Sequence, residues 1–161
     1  MMLLELKLLA LLVIANGAPI IARHLLRSCC AWPIDGGLKT AQGNPILGHS
    51  KTLRGLLAAV ILTAMIAPLL DIGWQWGAAI GGLAMLGDLI ASFSKRRLGY
   101  PPSSQAIGLD QIPESLLPLL VIAPAFQLNA WSIFLVVLAF SVLVPLLSRL
   151  FYLLGIRRHP Y

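Results

Sequence analysis

The chain has 161 residues, 58% of them hydrophobic and only 11% charged, with a mean hydropathy of +0.87. Soluble domains carry about 25% charged residues, so the composition excludes an ordinary soluble protein and specifies a single membrane-embedded domain over residues 1–161. The net charge of +6 does not point to nucleic acid: apart from Lys7, every Lys and Arg sits at the end of an apolar run or in one of two long polar loops, the pattern that sets membrane topology.

The first apolar run covers roughly Leu3 to Leu26. It lacks a basic leader and an A-x-A-like cleavage site, so it is expected to stay as a membrane helix. Asn16-Gly17-Ala18-Pro19 interrupts it. That break is either a proline kink relieved by neighbouring helices or a point where Asn16 faces a polar cleft. Arg23, His24 and Arg27 mark the cytoplasmic end. Cys29 and Cys30 follow with no second pair, so they complete no metal or redox motif. From Ser28 to Ser50 the chain is rich in Gly, Pro and Asn, which means turns. Asp35, Lys39 and His49, with Lys51 just beyond, give this loop an unusual density of ionisable groups, and long loops in compact bundles are often functional.

Lys51 and Arg54 open the second span, about Leu53 to Leu70, on one face with Ala58. Both cations are therefore able to point into one cleft, or simply to anchor the topology. Asp71 to Trp76 reads as a short turn on the far side. The third span, Trp74 to Phe93, carries Gly77-x-x-x-Gly81, which permits close helix approach. Small residues near Asp88 could also leave room for a ligand.

Asp88 lies inside this apolar run, and an acid there is expensive enough to mark a site. Ser92 and Lys95 follow at spacings of four and three, which puts carboxylate, hydroxyl and ammonium on one helical face. Lys95, Arg96 and Arg97 meet the negative pole of the helix dipole. A polar loop is expected from Lys95 to Ile112, closed by Asp110. The fourth span runs from about Pro113 to Phe126 and is short. The fifth runs from Trp131 to about Leu154, with Arg157 and Arg158 beyond it.

The reading is an all-α integral membrane protein with five transmembrane helices, N-terminus out, C-terminus in, and a polar cleft facing the cytoplasm. A carboxylate at membrane depth, cations at the interface and a second carboxylate nearby suit a metal-bound polyphosphate at the lipid surface.

No GxxxxGK[ST], G-x-S-x-G or HExxH occurs, nor the paired carboxylates of the CDP-alcohol phosphotransferases. Five blocks do stand in order: Ala15–Ile21 (ANGAPII), Pro33–Gly37 (PIDGG), Leu47–Gly55 (LGHSKTLRG), Gly87–Gly99 (GDLIASFSKRRLG) and Leu109–Pro113 (LDQIP). Through them nearly the whole chain resembles the CDP-archaeol synthases, CTP-dependent cytidylyltransferases of archaeal lipid synthesis, and their bacterial relatives. GD-x-x-x-S-x-x-KR also resembles part of the CDP-diacylglycerol synthase signature, whose further KD pair and PGHGG segment are missing here.

The resemblance implies a multi-pass protein of the cell's inner membrane that uses magnesium to transfer cytidylate from CTP to a lipid phosphate. It implies Asp88, Asp110 and Lys95 as catalytic residues, with Asp88 and Asp110 holding Mg2+. Lys51, Arg54, Ser92, Arg96, Asp35, Asn16 and Gln111 are the candidate nucleotide- or phosphate-binding residues. Asp35 and Gln111 are there because they fall at family motif positions. Partners are CTP, the lipid phosphate and membrane lipids, with no nucleic acid. The family usually has a glycine in the loop where this chain has Tyr100-Pro101-Pro102-Ser103-Ser104, which bears on lipid choice. The competing reading is a small transporter or non-catalytic scaffold, whose ionisable groups would spread through several spans and both faces.

Overall fold

The computed structural model describes residues 2–27, 29–41, 43–101 and 104–153, apart from the side chain at position 151. Leu154, Arg157 and Arg158 lie outside the described residues. Five α-helices, and no strands, form among those described: α1 (Met2–Leu26), α2 (Leu53–Ile66), α3 (Trp74–Arg97), α4 (Gln111–Phe126) and α5 (Ala130–Leu153). A 3₁₀ turn, Ala67–Leu70, extends α2 to the length of a span. Four of the spans are long and apolar enough to cross a membrane, and the 16-residue α4 is shorter. A helix needs about 20 residues to cross the hydrocarbon core.

Packing places α3 at the centre, against α2, α4 and α1, with α5 closing on α1 and α4. The core joins Leu8, Leu11 and Leu12 of α1 to Ile80 of α3, Leu119 and Ile122 of α4, and Phe140 of α5. The outward faces are apolar as well: Leu57, Ile61 and Met65 of α2 and Leu138, Val142 and Leu146 of α5 are exposed. A protein in water does not leave so large an apolar surface uncovered; in a bilayer it is the lipid-facing surface.

Glycines set the two tightest approaches. A Cβ at Gly77 or Gly81 would run into the α2 backbone at Thr63 and Ala59, so the Gly77-x-x-x-Gly81 pattern is the α2–α3 contact. A Cβ at Gly87 would collide with the Pro113 carbonyl and the Glu114 backbone. The glycine beside Asp88 therefore seats α4 against α3.

The third helix runs on through Arg97, four residues past its expected end, so Lys95 and Arg96 are buried on a helix and do not lie in a loop. What stops it is Gly99, at φ +81°. Tyr100 N donates to the Lys95 carbonyl at 3.0 Å and Gly99 N to that of Arg96 at 3.4 Å, the paired bonds of a glycine-terminated helix. The prolines at 101 and 102 come after the helix has already ended.

Polar chemistry is not confined to one end. Lys7 Nζ pairs with Asp71 Oδ2 at 2.9 Å, and Ser132 Oγ donates to Glu5 Oε1 at 2.5 Å. These bonds tie α1 to the α2–α3 turn and to α5 at the end of the bundle remote from Lys95.

Candidate active site

At the cation-rich end a cavity of about 390 Å³ opens between the five helices and the two long loops. Three polar pairs, each joining two different elements, form its walls. Thr52 caps α2 by accepting from Gly55 N at 3.3 Å, which leaves Lys51 on the last residue before the cap. From there Lys51 Nζ reaches Asp88 Oδ2 of α3 at 2.5 Å. At the other end of the α3 site, Lys95 Nζ pairs with Asp110 Oδ1 at 2.6 Å and donates to the Ser104 carbonyl at 2.7 Å. In the third pair, Asn16 Nδ2 of α1 donates to both oxygens of Glu114 on α4, at 2.8 and 3.0 Å. Asn16 thus faces a polar cleft, although Pro19 sits inside an α1 that continues past it.

The α4 end of the site is built by its own N-terminus. Asp110 Oδ2 accepts from Ala106 N at 2.8 Å and Gln111 Oε1 from Gly108 N at 2.8 Å. These bonds fold the segment before α4 back on itself, where Gly108 takes φ +83°, and so hold the Asp110 carboxylate towards Lys95. Arg54, the second residue of α2, donates through Nη1 to the Arg27 and Cys29 carbonyls at 2.7 and 2.6 Å. It thereby clamps the end of α1 while lining the cavity.

Of the residues expected at the site, Asn16, Lys51, Arg54, Asp88, Lys95, Asp110 and Gln111 all line this cavity. Ser92, Arg96 and Asp35 do not. Ser92 and Arg96 are buried in the bundle at 3% and 6% exposure, and the Arg96 Nε has no hydrogen-bond partner among the described residues. Asp35 instead organises its own loop: Oδ1 accepts from Gly37 N at 3.0 Å, and Oδ2 from Leu47 N at 2.9 Å and Gly48 N at 3.4 Å. Partial burial alone would raise the Asp35 carboxyl, but these backbone donors outweigh it and its pKa falls below the ordinary value. Arg97 lies over the Phe93 ring at 5.1 Å and donates to the Pro45 carbonyl at 3.3 Å.

Glu114 is the wall residue that the sequence reading passed over. It is 2% exposed, and an acid within the apolar run that begins at Pro113 meets the same criterion that singled out Asp88. Its spacing of four from Asp110 puts the two on one face of α4.

Among the described residues no three His, Cys, Asp or Glu side chains are grouped to hold a metal by themselves. Magnesium is usually bound by one or two carboxylates with waters and substrate phosphates, not by an all-protein cage. Asp88 and Asp110 suit that mode, since each already carries a cation, the ammonium of Lys51 or Lys95, against its carboxylate.

Comparisons with known proteins agree with this architecture. A family described as CarS-like, CDP-archaeol synthase, matches residues 76–161. A CDP-archaeol synthase of Sulfurisphaera tokodaii is 36% identical over 135 residues, 80% of this chain and 81% of that protein. One from Hyperthermus butylicus is 37% identical over 107 residues, 61% of this chain and 59% of that protein. A solved structure described as an intramembrane enzyme for archaeal membrane lipids biosynthesis superposes with a TM-score of 0.74 at 27% identity, covering 89% of this chain and 91% of that one.

Proposed function

The chain belongs to the CDP-archaeol synthase family, and we propose that it transfers the cytidylyl group of CTP to a membrane lipid phosphate, of archaeol type or related, giving a CDP-activated lipid and pyrophosphate. The observation that carries this reading is a polar cavity, set in a lipid-facing helical bundle, lined by two lysine–carboxylate pairs that join α3 to the segments before α2 and α4. A transporter or scaffold gives no reason for such a set to converge on one cavity.

In the reaction an oxygen of the lipid phosphate attacks the α-phosphorus of CTP, and the bond to the β-phosphate oxygen breaks as pyrophosphate leaves. Little covalent chemistry is asked of the protein; charge neutralisation and alignment supply the acceleration. Lys51, Arg54 and Lys95 bind phosphate oxygens, Lys51 and Lys95 by exchanging their carboxylate partners for phosphate. Asn16 and Glu114 hold one wall of the cavity, and Gln111 keeps Asp110 aimed at it. Asp88 and Asp110 would hold magnesium, which would supply charge neutralisation on the phosphates.

The cation distribution favours an inner-membrane orientation with the N-terminus out, the C-terminus in, and the cavity open to the cytoplasm, where CTP is available. The test is to give purified protein CTP, dCTP, UTP, ATP or GTP with magnesium and a panel of lipid phosphates, following pyrophosphate release and the lipid product by mass. A CDP-lipid formed from CTP, with purine nucleotides poorly used, is the expected result. Absence of pyrophosphate release from CTP with every lipid phosphate offered would defeat the reading.

A further inference from the structure

A second cavity, of about 320 Å³, lies against the first and differs from it in chemistry. It is walled by apolar side chains of three helices: Val13, Gly17 and Ile21 on α1, Leu62 and Ile66 on α2, and Leu147 on α5. It exists because α1 packs on both α2 and α5 while those two do not pack extensively on each other, so a groove is left along α1 between them. Gly17 forms its floor, and a Cβ built there would meet no atom within 4 Å. This glycine differs from Gly77, Gly81 and Gly87, each of which is required by a backbone packed against it. Ile21, at 49% exposure, leaves the groove open towards the surrounding lipid.

The two cavities are continuous. Asn16, Ile20, Val144 and Ser148 line both, and Asn16 holds Glu114 of the polar cavity. A molecule occupying both must be an amphiphile, anionic at one end and hydrocarbon at the other. The volume of the apolar part is about twice that of an engineered cavity of ~150 Å³ that stays dry and accepts benzene, enough for a hydrocarbon segment. Burial of each methylene from water is worth about 0.8 kcal/mol, but in a bilayer that gain is already made, so shape must do the selecting.

Resting on the proposed lipid-phosphate reaction, we infer that this groove seats one hydrocarbon chain of the lipid substrate, and that Gly17 is the specificity-determining residue that keeps it open. The chain enters from the bilayer between α2 and α5, runs along α1 past Gly17, and delivers the phosphate to the polar cavity at Asn16. A side chain at position 17 narrows the path without touching the nucleotide end.

The experiment uses the full-length protein in mixed micelles and a dialkylglycerol phosphate carrying a diazirine in one chain, without nucleotide. Wild type and Gly17→Ala should give adducts on peptides of α1, α2 and α5, and Gly17→Leu should lose at least fivefold of this labelling. In turnover, Gly17→Leu should raise the KM for the lipid phosphate at least tenfold and leave the KM for CTP within twofold. Leu147→Trp obstructs the groove from its opposite wall and should reproduce both effects, should Gly17→Leu fail to fold. Undiminished labelling in both obstructed variants, adducts on other helices, or a CTP KM rising in step with that for lipid would each overturn the inference. Labelling that depends on position 17 in a protein making no CDP-lipid would sink the proposed reaction and leave the groove standing.

Discussion

Gly87→Ala is the smallest change that reaches the active site through packing alone. The new methyl would lie 2.7 Å from the Glu114 Cα and closer still to the Pro113 carbonyl, all of it backbone that has no rotamer to change. Ordinary contact begins near 3.4 Å, so α3 and α4 must part by roughly 1 Å at the level of Asp88 and Glu114. Overpacking of this kind costs about 1–3 kcal/mol, against which alanine returns up to ~1 kcal/mol of helix propensity over glycine. Net destabilisation is therefore modest, about 0–2 kcal/mol where alanine returns the full propensity gain. Turnover should suffer more, because a displacement near 1 Å in a positioned site costs about a hundredfold. Gly82→Ala is the matched control: on the same helix its Cβ meets only Val60 Cγ2 at 3.8 Å, so neither turnover nor melting should fall. The assay is pyrophosphate release beside thermal melting in detergent. If Gly87→Ala keeps wild-type turnover, the α3–α4 contact does not set the geometry of the site and the reasoning fails.

Asn16→Ala strips both Asn16 donor contacts from the buried Glu114 carboxylate; it should destabilise the protein by about 1–3 kcal/mol and reduce turnover, and an unchanged melting temperature would contradict the pairing. Asp35→Ala should loosen the loop between Ile34 and Gly48 with little effect on the spans, seen as faster amide exchange at Gly37, Leu47 and Gly48. Because the folded Asp35 pKa is depressed, its contribution is complete above the unfolded carboxyl value of about 3.9 and is lost as pH falls through the folded value; loop protection factors, corrected for intrinsic exchange, that stay unchanged until the carboxyl is fully protonated would refute this. Cys29 and Cys30, both exposed and the sole cysteines of the chain, should resist an impermeant maleimide in intact cells and react after permeabilisation. Ready labelling from outside would reverse the proposed orientation.

The spans were legible because each is a long apolar run bounded by turn residues, and observed bounds differ from expectation by a residue or two except at the end of α3. There the charged Lys95-Arg96-Arg97 run suggested a loop, whereas cations in a last turn favour the helix and Gly99 provides the stop. Which residues gather at the site was also largely legible, since ionisable groups at membrane depth are rare enough to stand out. Their pairing was not. Helical spacing ties Asp88 to its own helix, yet its partner is Lys51, from a loop 37 positions earlier, and Lys95 turns away to Asp110. Such choices depend on how close α3 comes to α4, which Gly87 decides through a contact with backbone that local sequence does not reveal. Ser92 and Arg96 share the charged stretch but point into the bundle, a matter of rotation about the α3 axis. Asp35 matched a family motif, and its contacts here are all to its own loop.

In the proposed function the Lys51–Asp88 pair serves the reaction and not merely the bundle, and the bond between the two makes a single substitution ambiguous. Asp88→Asn alone leaves a part-buried ammonium without its partner and is destabilising for that reason as well. The charge-neutral double variant Lys51→Met/Asp88→Asn removes the unpaired charge, so its melting temperature should return close to wild type. The decisive measurement is its turnover with CTP, magnesium and a lipid phosphate. A catalytic pair predicts at least a hundredfold loss, about 3 kcal/mol of transition-state stabilisation, in a protein that melts normally. Turnover restored together with stability would show that the pair is structural, and would contradict the account.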